Sequence, residues 1–305
     1  MRFGISLPLV HQMPGQPEWE TGDDIETLVA VAKRADELGY AWAPCSDHVV
    51  VPSRAAPSMG ATWYDPATTL AFIAGFTQRL RLLTHVLILP YHSPLAIAKQ
   101  YATLDRLSGG RVILGVGAGH LKPEFRALGA DFDERGAVTD EYIRAIKALW
   151  SDEEASFDGP HVRFRDVRLS PRPAQSPHPP VWVGGNSRRA VRRAVELGDG
   201  WVPFEVTLAK VRDRMAYARS RSGFEQRSTP FEVVVPASFE LTTRPIDGER
   251  AVFSGSREQV IEDIEAYRAA GVTGMTAGFR SRSLSGQLEQ MTRFAETVMP
   301  EFRSG

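Results

Sequence analysis

The chain has 305 residues, 43% of them hydrophobic, with 26 Gly and 21 Pro, enough to bury a full core in one large domain or two ordinary ones. Lys and Arg number 36 against 37 Asp and Glu, for a net charge of -1, and no basic block could neutralise a run of phosphates, which sets aside nucleic acid as a partner. A single cysteine, Cys45, rules out an internal disulfide framework; the start MRFGISLPLV has no signal-peptide pattern and no run reaches the roughly eighteen apolar residues of a membrane span, so a cytoplasmic protein without a membrane partner is expected.

Along the chain, short runs rich in Val, Ile, Leu and Phe alternate with longer segments of helical period, the signature of βα units in a parallel sheet. The predicted strands are Arg2–Leu9, Tyr40–Cys45, Arg81–Leu89, Arg111–Val116, Pro180–Val183, Gly200–Phe204, Phe231–Leu241 and Val272–Ala277. The first long helix follows strand 1, in DDIETLVAVAKRADELG: Ile25, Leu28, Val29, Ala32, Ala35 and Leu38 form one apolar face, and Gly39 supplies the stop. A second, SPLAIAKQYATLDRLSGG, opens at Ser93-Pro94 and closes at Gly109-Gly110. Eight such units predict an α/β fold, a (β/α)8 TIM barrel occupying residues 1–305 as a single domain. An open dinucleotide-binding sheet is disfavoured because no G-x-G-x-x-G follows strand 1. Insertions are expected after strand 2, at Val50–Trp63, and after strand 4, where Ser151–Pro179 holds a hairpin (SFDGPHVRFRDVRLSP) and a Pro-rich connector.

Loops at the C-terminal ends of barrel strands build active sites. Asp47 and His48 follow strand 2, His85 lies in strand 3 and His120 follows strand 4. Neighbouring strands are about 5 Å apart, so these groups can converge at the mouth, where titratable side chains are costly to keep unless used. His11, His92, His161 and His178 fall in loops and read as surface residues. Trp19, Trp42, Trp63, Phe204 and Arg280 are candidates to line a substrate pocket, although aromatic residues at strand ends more often pack.

Two chemistries compete for that rim. A divalent-metal hydrolase would use Asp47 and the histidines as ligands, but no H-x-H follows strand 1 and the later strands end in GGNS, PFEV, ELTT and AGFR, with few carboxylates; no metal site is predicted. The alternative is a cradle for an aromatic cofactor with a phosphate. After strand 5 the chain reads Gly184-Gly185-Asn186-Ser187 and then a helix, which places backbone N–H groups and a positive helix end at one spot. The Arg188, Arg189, Arg192 and Arg193 cluster is read as a solvated helix face. In GVGAG after strand 4, Gly117 and Gly119 leave room for a flat ring to approach the backbone.

The block RLLTHVLILPYHSPLAIAKQYATLDRLSGGRVILGVGAGH, preceded by SDH and followed by PVWVGGNS and LGDGW, resembles the bacterial luciferase-like monooxygenase superfamily, and within it the branch using the deazaflavin coenzyme F420. The resemblance is close from Phe3 to about Trp201, and its LP-x-x-x-P and LD-x-L-S-x-GR patterns are specific. It implies a (β/α)8 barrel, a homodimer, and a flavin or deazaflavin at the C-terminal mouth serving a small-molecule substrate. Asp47 and His48 match the pair beside the reactive ring, His85-Val86 a bulge with a non-proline cis peptide supporting the ring, and Gly184, Gly185, Asn186 and Ser187 the phosphate-binding turn. His48 is then the proton donor or acceptor, Asp47 holds the His48 ring or stabilises the cofactor, and His120 is a second acid/base. Relatives often have Ser or Ala where His85 stands. Flavin enzymes of the family tend to carry an Arg where Ala118 stands, which argues against FMN, and the sugar-phosphate dehydrogenases carry a Glu where His120 stands. The alternative cofactor is FMN, in a monooxygenase fed by a separate reductase. A non-enzymatic flavin-binding relative would need only the phosphate turn, not the intact rim.

Overall fold

The computed structural model describes residues 1–227 and 229–303. Eight parallel strands form the barrel: β1 (Arg2–Ile5), β2 (Trp42–Cys45), β3 (Arg81–Thr84), β4 (Val112–Gly117), β5 (Val181–Gly184), β6 (Gly200–Val202), β7 (Glu232–Leu241) and β8 (Gly274–Phe279). Each pairs with the next from β2 to β8, and β8 pairs with β1. The Ala41 N–H donates to Phe3 O at 2.6 Å and draws β2 against β1, so the ring nearly closes. Among the described residues, no helix is long and apolar enough to cross a membrane.

The strands read as continuous apolar runs because both of their faces are covered. Trp42, Leu83, Ile113, Trp182, Val202 and Val234, one from each strand from β2 to β7, fill the barrel interior. β1 and β8 contribute glycines there instead. A Cβ on Gly4 would lie 2.0 Å from Trp42 Nε1, and one on Gly274 2.5 Å from the far edge of the same indole, so their absence is what admits Trp42. Its Nε1–H donates to Thr276 Oγ1 at 2.9 Å, which satisfies the one polar atom the indole buries.

The helix Ile25–Leu38 starts at Asp24, whose carboxylate accepts from Glu26 N, and stops at Gly39, with φ 80°. The second predicted helix runs Pro94–Leu107. Below it, the LD-x-L-S-x-GR segment is an anchor at the N-terminal ends of the strands. Asp105, fully buried, accepts from Val112 N at 3.1 Å, Ala174 N at 2.8 Å and Gln175 Nε2 at 2.7 Å. The Arg111 guanidinium donates to Ser108 O, Thr77 Oγ1, Leu80 O and Ala74 O.

The segments expected as insertions hold local structure of their own. The segment after β2 holds a single turn of helix, Ala56–Met59, and is tied to the loop after β1 by an isolated bridge between His11 and Trp63. After β4 come helices Lys122–Leu128 and Arg135–Ser151, then an antiparallel hairpin of Ala155–Asp158 with Arg163–Val167. Strand 3 departs from its expected length. It breaks after Thr84 at a cis His85-Val86 peptide, and Leu87–Ile88 resumes pairing with Val116 and Gly117 of β4. Strand 1 is likewise shorter than the predicted Arg2–Leu9: Leu7, Leu9 and Val10 are buried beyond the sheet, with Leu9 at φ 67°.

Candidate active site

The break in β3 organises the mouth. The His85 N–H donates to Cys45 O at 2.8 Å and Ser46 Oγ–H donates to His85 O at 3.0 Å, so the bulge hangs on the end of β2. Val86 then projects over the neighbouring strand ends. A Cβ on Gly117 would come within 2.7 Å of Val86, and one on Gly184 within 2.6 Å, while one on Gly119 would meet Ile88 at 2.8 Å. The space left by these glycines is therefore taken by Val86 and Ile88 rather than left open to a ring, which corrects the reading of GVGAG as a direct approach surface.

Asp47 is 4% exposed and its Oδ2 accepts from Ile88 N at 2.9 Å and from His92 Nε2 at 2.7 Å. The carboxylate thus fastens the bulge, and the expectation that Asp47 holds the His48 ring is corrected. His92, read as a surface residue, is its partner. What holds His48 is Glu124, in the first turn of Lys122–Leu128, fully buried and unnoticed in the sequence. Its Oε2 lies 2.8 Å from His48 Nδ1 and accepts from Tyr91 Oη–H at 3.1 Å, while Oε1 accepts from the N–H groups of Val49 at 2.8 Å and Val50 at 3.3 Å. Burial opposes ionisation of Glu124, but the His48 pair and the backbone and Tyr91 donors outweigh it and hold its pKa below the ordinary carboxylate value. A carboxylate in a first helical turn is so common that nothing in the sequence marked it.

Around His48 the rings gather. Trp63 stands edge-on to it with centroids 4.5 Å apart, His120 lies at 6.4 Å, and His11 stacks on Trp63 at 5.4 Å. His11 was read as a surface loop residue and is instead part of this wall. Among the described residues, its Nδ1 and the Trp63 Nε1 are buried without a hydrogen-bond partner. Burial lowers the pKa of His11 and of His120, the latter also through His48. His85 is pulled down to about 4, by burial first and then by His11, so it stands neutral at physiological pH. Of the other pocket candidates, Trp42 belongs to the barrel core, Trp19 donates to Ser281 O at 3.1 Å, Phe204 is 62% exposed at the end of β6, and Arg280 donates to Ser254 Oγ.

At the turn after β5, Gly185 takes φ 108°, a conformation that favours glycine. Asn186 spends its amide on the backbone of Phe204, accepting from its N–H at 3.0 Å and donating to its carbonyl. Ser187 caps the helix Arg188–Leu197 by accepting from Ala190 N at 3.1 Å. Asn186 and Ser187 therefore shape the turn, and among the described residues no protein acceptor meets the N–H groups of Arg188 and Arg189. Arg193, expected on a solvated face, is buried and paired with Asp140, whereas Arg188 meets Asp213 in solvent at 3.3 Å. Among the described residues no three metal-ligating side chains cluster tightly enough to hold an ion.

The model of the luciferase-like monooxygenase family matches residues 1–245. The chain belongs to that family. A curated relative, the FMNH2-dependent dimethylsulfone monooxygenase of Pseudomonas putida, is 34% identical over 186 residues, 60% of this chain but only 49% of that enzyme; the chain spans about half that relative's length. Among solved structures, a monooxygenase from Streptomyces bottropensis is similar at TM-score 0.83 with 24% identity, covering 99% of this chain and all of that one. The coenzyme F420-dependent tetrahydromethanopterin reductase of Methanopyrus kandleri is similar at TM-score 0.77 with 17% identity, covering 99% of each chain. At these identities the structures speak for the barrel alone; F420 is the coenzyme of the Methanopyrus reductase and FMNH2 that of the Pseudomonas relative.

Proposed function

We propose that this family member is an oxidoreductase that uses the deazaflavin coenzyme F420 on a small organic substrate in the barrel mouth. The observation that carries the reading is the pairing, at one mouth, of His48 with two buried polar atoms that the protein itself leaves unpartnered, His11 Nδ1 and Trp63 Nε1. Buried polar atoms without partners are expensive, and a bound group that hydrogen-bonds them fits such a site. At the end of β5, three strands along the barrel from β2, the N–H groups of Arg188 and Arg189 fit an anionic tail.

When bound, the deazaflavin supplies transfer of a hydride at a ring carbon, with carbon standing where a flavin nitrogen would engage oxygen. The chain's own residues supply position and protons. Val86, presented by the His85-Val86 bulge, supports the ring face, with Gly117 and Gly184 making room for Val86 and Gly119 for Ile88 beside it. Gly185, Asn186 and Ser187 shape the phosphate turn. Asp47 acts through the bulge it fastens. His48 exchanges the proton that accompanies the redox step, because an imidazole nitrogen can either donate or accept it and so serves either direction. His120, at the rim, is the second acid/base.

Support for F420 over FMN comes from the turn Gly117-Ala118-Gly119, which holds no cation for a flavin phosphate. The Pseudomonas relative favours a second reading, an FMN-dependent monooxygenase supplied by a separate reductase. The two are told apart by supplying reduced F420 anaerobically with a panel of carbonyl and conjugated substrates, and reduced FMN aerobically with the same panel. Substrate-dependent reoxidation of F420 is the expected result. Substrate-linked oxygen uptake with FMN, and none with F420, would replace the first reading by the second.

A further inference from the structure

From the geometry around Glu124 we infer that this residue is the positioning residue for His48: it fixes the neutral imidazole in the Nδ1–H form and leaves Nε2 as the nitrogen that exchanges protons in the mouth. An ionised carboxylate only accepts hydrogen bonds. Glu124 Oε1 already receives the N–H groups of Val49 and Val50, and Oε2 receives Tyr91 Oη–H. With three donors in place and no exposure to water, ionisation is the state these contacts favour, so the fourth neighbour, His48 Nδ1 at 2.8 Å, must bring a proton. Among the described residues, His48 Nε2 has no protein partner, and it is not among the buried unpartnered atoms, so it reaches the mouth.

The same four contacts join two separate elements. Glu124 stands on the helix after β4 and grips the loop after β2 through both its backbone and its side chain, so the imidazole is held at both its ring and its chain. An imidazole side chain free in water prefers the Nε2–H form, and the arrangement here enforces the other one. The charged groups facing His48 are few: Glu124 from the helix, His120 from the end of β4, and Asp47 next in sequence, whose carboxylate is occupied by Ile88 N and His92. Tyr91 and Trp63 complete the surround without charge. That His48 takes part in turnover rests on the function proposed above; its tautomer does not, and the test needs neither cofactor nor substrate.

The test is nitrogen NMR of the cofactor-free protein with 15N-labelled histidine, the His48 signals assigned by loss in His48→Asn. At high pH, wild-type His48 is expected to show a protonated Nδ1 and an unprotonated Nε2. Glu124→Gln keeps an oxygen for the Val49 and Val50 N–H groups and turns its NH2 donor toward Nδ1, so the proton is expected to move to Nε2. Tyr91→Phe takes away one donor to Glu124 but leaves its hydrogen bond with His48, so it should preserve the Nδ1–H form. A wild-type proton on Nε2 would overturn the inference, as would an unchanged Nδ1–H form in folded Glu124→Gln. If that variant does not fold, the wild-type tautomer alone decides.

Discussion

Asp105 and Arg111, at the N-terminal ends of the strands, are buried with their polar atoms matched to backbone and side-chain partners. His11 and Trp63, at the opposite end of the same barrel, bury polar atoms that nothing among the described residues meets. Both clusters grow from the same kind of segment, a loop flanking a barrel strand. The difference lies in what completes them: the lower cluster is closed by the chain itself, and so contributes stability, whereas the upper one is left open where the proposed cofactor would sit. Asp47 and Glu124 stand between the two kinds, since each accepts hydrogen bonds from the chain and through them sets a neighbour in place at the mouth.

The comparison is broken most directly at His48. His48→Ala should lower turnover by about 10²–10⁴-fold while changing cofactor affinity only a few-fold and leaving the fold intact. Steady-state kinetics beside a cofactor titration measures both, and undiminished turnover would remove His48 from the mechanism. The converse substitution is Asp105→Ala, which strands several buried donors and should cost about 3–5 kcal/mol of stability, with turnover per folded molecule unchanged. Denaturant unfolding reads this, and a variant as stable as the parent would show that the lower cluster is not an anchor.

A smaller effect sharpens the contrast through pH. An unfolded histidine takes up its proton near 6.5, whereas folded His85 does so only at about 4. Between those values the unfolded state binds more protons, so stability falls as pH drops through the window and this contribution levels off below about 4. His85→Asn should flatten that part of the curve of unfolding free energy against pH. An unchanged slope would mean that His85 is not held neutral.

Much of the barrel was legible because parallel strands buried on both faces print as apolar runs, and because Asp24, Gly39 and Ser93-Pro94 mark helix ends by their own chemistry. The cis peptide at His85-Val86 followed from family resemblance, not from residue chemistry. His48, His120 and the Asp47 loop were found because titratable groups at strand ends stand out against apolar neighbours. Glu124, His11 and His92 were not, for a common reason: a first-turn carboxylate and a loop histidine are ordinary taken singly, and only the folded chain reveals their partners. The space beside Gly117 was visible in sequence, but that Val86 would fill it was not, since the filler comes from a neighbouring strand.

A mouth built for a deazaflavin, as proposed, must prefer F420 to FMN. Titrating the apo protein with oxidised F420 and, separately, with FMN, followed by intrinsic tryptophan fluorescence, tests it most directly. Micromolar binding of F420 with much weaker FMN is the predicted result. Tight binding of FMN with none of F420 would contradict it and make this chain a flavin-dependent monooxygenase whose phosphate is held without a cation at Ala118.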